Sequence, residues 1–134
     1  AKRAIEKFVR TGEVEMVPAY RLGDESAGMF FELDYYGNPK RGAIPSWKNQ
    51  MAAMSWIHWL TFNGLQSAPQ VKTPTLFVHS DGCVFPDHVK RIHSALSGPK
   101  EMVWMDGTQT DFYDQPRFVE KAIDAAYRHF STTL

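Results

Sequence analysis

The sequence predicts an α/β protein with parallel strands and flanking helices, and three features of its second half indicate this. Two short apolar runs, at 73–80 ("TPTLFVHS") and at 101–105 ("EMVWM"), are typical of buried strands. Each run is followed by a helical pattern, first at 86–98 and then at 115–130. The loops between them are short, and the alternation indicates parallel strands joined by a helical crossover.

The two helices of the second half have clear limits. Pro86 suits the first turn of the earlier helix, and Gly98-Pro99 ends it. For the last helix, the spacing of apolar residues predicts one face that packs inward. The members of that face are Val119, Ala122, Ile123, Ala126, Tyr127 and Phe130.

The first half contains shorter patterns. Ala4, Ile5, Phe8 and Val9 recur at helical spacing, and Gly12 is placed to end that helix. Three further segments are predicted, namely a short strand or extended connection at 13–20, an aromatic-rich helix at 25–37 and a helix capped by Ser46 at 46–62.

We expect one structural domain made of two segments. Residues 1–70 form a helical segment and connection, and residues 71–134 form the strand-helix-strand-helix core. A sheet of two parallel strands is not stable on its own, and a strand as apolar as "TLFV" is a poor open edge. The sheet is therefore expected to be incomplete within this chain. The missing strands would come from another part of a longer protein or from a second copy.

Composition excludes several classes of protein. Fifteen acidic residues balance fifteen basic ones, so nothing indicates nucleic-acid binding. No apolar run has the length of a membrane span, and the single cysteine, Cys83, suits a reducing cytosol. Phosphate-binding and dinucleotide-binding glycine motifs are absent, and no histidine pair has the spacing of metal ligands. We predict a cytoplasmic protein with no cofactor, metal, nucleic acid or membrane partner.

Two polar loops follow the predicted strands, at 79–87 ("HSDGCVFPD") and at 106–114 ("DGTQTDFYD"). Ligands of open α/β sheets bind beyond the carboxyl ends of the strands, which is where both loops fall. Asp81 lies just past a strand, where an acid could orient a histidine as a catalytic triad requires. His79 ends the same strand and is the one histidine near this edge. No G-x-S-x-G motif is present to supply a serine nucleophile.

These loops, within a segment from Val71 to Phe130, resemble the carboxyl-terminal part of an α/β-hydrolase. The likeness is to the group of polyketide transferases and dienelactone-hydrolase-like proteins, and residues 41–64 ("RGAIPSWKNQMAAMSWIHWLTFNG") are similar to that group's segment before the acid-bearing strand. The resemblance implies an ester, thioester or lactone substrate. It implies that Asp81 stands close to the triad acid, and that Gln109 occupies the catalytic histidine's place in a motif similar to GTHxDFYD. The family's nucleophile would lie upstream of Ala1.

Gln109 decides what we expect of catalysis. A glutamine side chain cannot act as a general base near neutral pH, and a triad without its base loses several orders of magnitude in rate. We therefore expect the chain alone to be inactive, with His79, Phe85 and Phe112 as candidate substrate-binding residues. Two alternatives remain. One is a truncated, non-catalytic derivative that oligomerises, and the other is a small-molecule-binding module with a pocket lined by Trp56, Trp59, Phe85 and Phe112.

Overall fold

The computed structural model describes all 134 residues, which form helices and short strands in two compact units, 1–62 and 63–134. Each unit has its own small sheet of two strands. None of the helices combines the length and the apolar composition that a membrane span requires. The division into segments 1–70 and 71–134, expected from the sequence, stays a prediction.

The first unit is built from short elements around one longer helix. Helix α1 (Lys2–Thr11) is confirmed and ends as predicted, because the N–H of Gly12, at φ 71°, donates to the Phe8 carbonyl at 2.7 Å. The remaining elements are strand β1 (Met16–Val17), helix α2 (Asp34–Gly37), strand β2 (Met51–Ala52) antiparallel to β1, a 3₁₀ turn (Ala53–Ser55) and helix α3 (Trp56–Thr61).

Two predicted helices of the first unit are wrong over most of their length. Within 25–37 only α2 is helical, because backbone hydrogen bonds hold the preceding residues beside an earlier segment. One of these bonds runs from the Met29 N–H to the Ala19 carbonyl at 2.8 Å. Within 46–62 the helix begins only at α3. The Asn49 side chain bonds both the N–H and the carbonyl of Tyr20, at 2.7 and 2.6 Å, and keeps this part of the chain extended.

The second unit confirms the predicted small parallel sheet with flanking helices. Its elements are α4 (Gly64–Ser67), a 3₁₀ turn (Ala68–Gln70), β3 (Thr75–Gly82), α5 (Pro86–Ala95), β4 (Lys100–Thr108), α6 (Asp111–Asp114) and α7 (Pro116–Thr133). Strands β3 and β4 run parallel, with Thr75 opposite Lys100 and Ser80 opposite Met105. No third strand pairs with either of them. The carboxyl ends of both strands therefore meet at one edge.

The predicted inward face of α7 is wrong for its largest members. Ile123, Tyr127 and Phe130 are exposed by 59, 73 and 56%, whereas Ala125 and His129 are buried. Small side chains allow the helix to approach the sheet closely, so α7 packs through its alanines and one histidine. Periodicity located the apolar positions, but it could not tell which of two apolar sides of the helix contacts the sheet.

Candidate functional site

The loops after β3 and β4 form one continuous surface at the carboxyl edge of the sheet. The Gln109 N–H donates to the Gly82 carbonyl at 3.3 Å, and the fully buried Ser80 hydroxyl donates to the Gly107 carbonyl at 2.5 Å. Glycine is required here, since a Cβ on Gly82 would collide with the Gly107 carbonyl. The strands thus extend into both polar segments that the sequence predicts as loops, and their ends hold the two segments in direct contact.

Gln109 uses both ends of its side chain, one to reach the loop after β3 and the other within its own loop. Its Oε1 accepts a hydrogen bond from the Val84 N–H at 3.2 Å, and its Nε2 donates to the Tyr113 hydroxyl at 3.3 Å. An uncharged amide in such a bridge orders the loops and does not accept a proton. The chain therefore has a residue that holds the two loops together at the position where the resemblance implies a histidine.

Asp81, near the end of β3, is held by two side chains other than Gln109. Its exposed carboxylate accepts hydrogen bonds from Lys90 Nζ at 2.8 Å and from Trp104 Nε1 at 3.1 Å. The Lys90 bond, followed by the Trp104 bond, holds the pKa of Asp81 below its ordinary value, and the Asp81 bond raises the pKa of Lys90. Asp81 and Gln109 share no hydrogen bond, so the two candidate catalytic residues do not form a pair.

His79 belongs with Asp81 in the same cluster. Its Nδ1 lies 2.9 Å from the Ser80 carbonyl oxygen, and its ring packs on that of Trp104 with centroids 5.3 Å apart. The Lys90 Nζ lies over the Trp104 ring, 4.6 Å from its centroid. Sequence reasoning missed Lys90 and Trp104. Trp104 could have been found from the strand register, because parallel pairing of the two strands sets Trp104 opposite His79.

The two aromatic candidates have different roles. Phe112 is half-buried and packs on Phe118 with ring centroids 5.5 Å apart, so it supports the loop. Phe85 has a left-handed backbone, with φ 54°, and is 68% exposed, with its ring stacked on His88 at 5.2 Å. A bulky residue in this conformation is strained by roughly 1–2 kcal/mol. Such outliers persist where the surroundings impose them, and they cluster at binding sites.

Asp111 fixes the loop that contains Gln109. One of its carboxylate oxygens accepts hydrogen bonds from both the N–H and the hydroxyl of Thr108, each at 2.8 Å. Sequence reasoning missed this role, although an acid three residues after a threonine is the spacing of a capping box. The side chains that hold Gln109 in place therefore come from its own loop.

Comparison with known proteins identifies the fold. No known family profile matches the sequence, and no curated protein gives a significant match. A solved structure of DcsB in complex with its substrate analogue superposes on the chain with a TM-score of 0.75 at 17% identity. The match covers 99% of this chain and 48% of DcsB, so the chain spans about half the length of that protein. At this identity the similarity establishes a shared fold.

Proposed function

We propose that the chain corresponds to the carboxyl-terminal part of an α/β-hydrolase-family protein, of the group that includes polyketide transferases and dienelactone hydrolases. Its carboxyl-edge loops bind an ester, thioester or lactone, and the 134 residues do not hydrolyse it by themselves. The observation that carries the proposal is the bridge made by Gln109, because it links the loops of an expected active site through a side chain that cannot act as a base.

The chemistry of the edge supports binding of an acyl compound. Phe85 presents an exposed apolar ring beside the loop that Gln109 ties down. An ester or lactone carbonyl is an acceptor, and its alkyl part needs apolar contact. In DcsB, a protein of the same fold, a substrate analogue is bound.

Binding is tested by titrating the isotopically labelled chain with ethyl butyrate and with δ-valerolactone while amide shifts are recorded by NMR. We expect saturable shifts at Val84, Phe85 and Gln109. Phe85→Ala should weaken binding at least about fivefold, in line with the loss of roughly 1 kcal/mol of apolar contact. The matched control is Phe31→Ala, since Phe31 is a comparably exposed aromatic residue, at 51%, in the other unit.

Each possible result of these experiments supports or contradicts the proposal. Shifts confined to the loops and lost in the Phe85 variant support the proposal. Shifts that are absent, or that persist unchanged in that variant, contradict it. Release of butyrate or of the ring-opened acid above the buffer rate would overturn the statement that the chain does not hydrolyse such compounds.

A second candidate is ester hydrolysis by a complete form of the protein. The chain spans 48% of DcsB, and polypeptide outside these residues would have to supply the nucleophile. In such a complete protein, Gln109→His should raise esterase turnover by at least tenfold, because a base then stands beside the nucleophile. In the 134-residue chain the same change should give no turnover.

A further inference from the structure

The link between α3 and α4 contains an asparagine that is followed directly by a glycine. Asn63 is exposed and caps α4, since its Oδ1 accepts a hydrogen bond from the Leu65 N–H at 3.2 Å. Gly64 is the first residue of α4. The side-chain amide of an asparagine and the N–H of the next residue can close a five-membered ring, and a glycine, which has no Cβ, obstructs that ring least. The pair is therefore a chemically reactive point of the chain.

The Gly64 N–H is available for this reaction. Because Gly64 begins a helix, no carbonyl within that helix can accept its N–H. No other backbone or side-chain group accepts it either. The bond that holds the Asn63 side chain is long for an N–H···O bond, at 3.2 Å, and joins exposed groups. Ring closure therefore disturbs one weak capping bond.

The other two asparagines of the chain lack these conditions. Asn38 precedes Pro39, whose nitrogen has no hydrogen and cannot form the ring. Asn49 is held by two hydrogen bonds to the Tyr20 backbone, at 2.7 and 2.6 Å. The N–H that follows it, that of Gln50, already donates to a backbone carbonyl at 2.7 Å. Of the three asparagines, one alone combines a following glycine with an unbonded N–H.

We propose that Asn63 is a deamidation site of the folded chain. The Gly64 nitrogen attacks Cγ of Asn63, and a carbon–nitrogen bond forms. The bond from Cγ to the side-chain nitrogen breaks, and that nitrogen leaves as ammonia together with the proton from Gly64. Solvent water then opens the resulting succinimide at one of its two carbonyl carbons, which gives an aspartate or an isoaspartate.

The two products differ in their effect on α4. An aspartate keeps an acceptor for the Leu65 N–H, and aspartate caps helices about as well as asparagine does. An isoaspartate inserts a methylene group into the main chain, so the carboxylate is displaced and the cap is lost. Helix α4 packs on α5, and Leu65 lines a groove there together with Lys90 and Arg91. Either product adds one negative charge to a helix that borders a basic groove.

Peptide mass spectrometry of the folded chain, incubated at mildly alkaline pH, tests the proposal. We expect time-dependent conversion of an amide to a carboxyl group at Asn63, shared between aspartate and isoaspartate. Trypsin cleaves after Lys48 and Lys72, so Asn49 and Asn63 lie in one peptide and fragment ions compare them directly. Conversion at Asn49 that equals or exceeds conversion at Asn63 contradicts the proposal. Conversion of Asn63 in urea but not in the folded chain overturns it.

Gly64→Ala gives a second test. The variant should keep its fold, because alanine is the better residue within a helix and Gly64 has no positive φ. Conversion at Asn63 should slow at least about tenfold, which equals about 1.4 kcal/mol in the barrier. Gln66→Ala is the matched control, since Gln66 is an exposed residue of the same helix, and should leave the rate unchanged. Equal rates in the two variants overturn the proposal.

Amide exchange at Leu65 identifies the effect of each product. Asn63→Asp should leave the exchange rate close to that of the native chain, because the acceptor is kept. Asn63→Ala has no acceptor and should speed exchange roughly fivefold. The isoaspartate form, separated by chromatography, should exchange like the alanine variant. An isoaspartate form that exchanges as slowly as the native chain contradicts the loss of the cap.

The deamidation site goes beyond the proposed function and can fail separately from it. Asn63 belongs to neither of the carboxyl-edge loops, and its conversion is measured by mass, whereas the NMR titration measures ligand contact at those loops. A chain that does not convert but still binds δ-valerolactone overturns the deamidation site alone. A chain that converts but whose loops do not respond to ligand overturns the proposed function alone.

Discussion

The two units of the chain hold their loops together by different means. In the second unit a regular ladder between β3 and β4 brings two loops into register, and glycines allow their backbones to touch. In the first unit the ladder is two residues long, and individual side chains do the joining. There Asn49 bonds the Tyr20 backbone, and the ring of Tyr36 packs on Trp47 with centroids 5.5 Å apart, beside a few backbone bonds between loop residues such as Met29 N–H to the Ala19 carbonyl. Regular backbone pairing and specific side-chain bonds are thus alternative ways to order a loop.

The largest difference between the units should appear at their positive-φ glycines. Gly107, at φ 111°, lies against the Phe118 ring, and a Cβ there would collide with it. Gly107→Ala should lower the free energy of unfolding by roughly 2–5 kcal/mol, from backbone strain plus overpacking. Gly23→Ala is the matched control, since Gly23 has φ 75° with open space around it, and should cost roughly 1–2 kcal/mol. Urea denaturation measures both, and equal losses would contradict the packing argument.

Asn49 tests the side-chain route in the first unit. Asn49→Ala removes both hydrogen bonds to Tyr20 and should lower the stability of that unit by about 1–2 kcal/mol. Asn49→Asp keeps the acceptor for the Tyr20 N–H but sets a carboxylate oxygen against the Tyr20 carbonyl, so it should lose at least as much as the alanine variant. Amide exchange at Tyr20 gives the readout. If exchange there is unchanged in the alanine variant, these bonds do not order the segment.

The same difference between the units explains why the sequence predicts the second unit better than the first. The second unit is predictable because each of its two short apolar runs is followed by a longer amphipathic helical pattern. The helix predicted at 46–62 failed over its first part because the bond between Asn49 and Tyr20, 29 residues apart, has no local signature. At the candidate site, the sequence located Gln109 and Asp81 in the right loops. It could not predict that Asp81 bonds Lys90, since that contact depends on how α5 packs on β3.

Gln109 tests the bridge in the second unit, with a smaller expected effect. Gln109→Ala removes the acceptor for the Val84 N–H and should speed exchange of that amide roughly fivefold, which corresponds to about 1 kcal/mol. Gln109→Glu keeps an acceptor at the same place and should leave the exchange rate close to that of the native chain. Similar rates in all three proteins would show that the ladder alone orders the loops.

The smallest effect concerns the Asp81–Lys90 pair. Its hydrogen bonds hold the pKa of Asp81 below about 3.9, the ordinary aspartate value. A depressed carboxyl pKa favours the folded state above the unfolded-state pKa, and this contribution is lost as the pH falls through the folded-state pKa, here in acid below about 3.9. An NMR titration should therefore find a low Asp81 midpoint that rises in Lys90→Met. Because the pair is exposed, unfolding at pH 7 should hardly change.

Phe85 has a consequence for how the chain trades stability against function. Glycine or asparagine would adopt its left-handed backbone with less strain, so Phe85→Gly relieves a local cost while removing an exposed aromatic ring. Truncating a residue that only supports the fold lowers the stability of the protein. A substitution here that leaves the fold as stable as before, or more so, and weakens ligand binding would mark this loop as a place where the protein gives up stability for recognition.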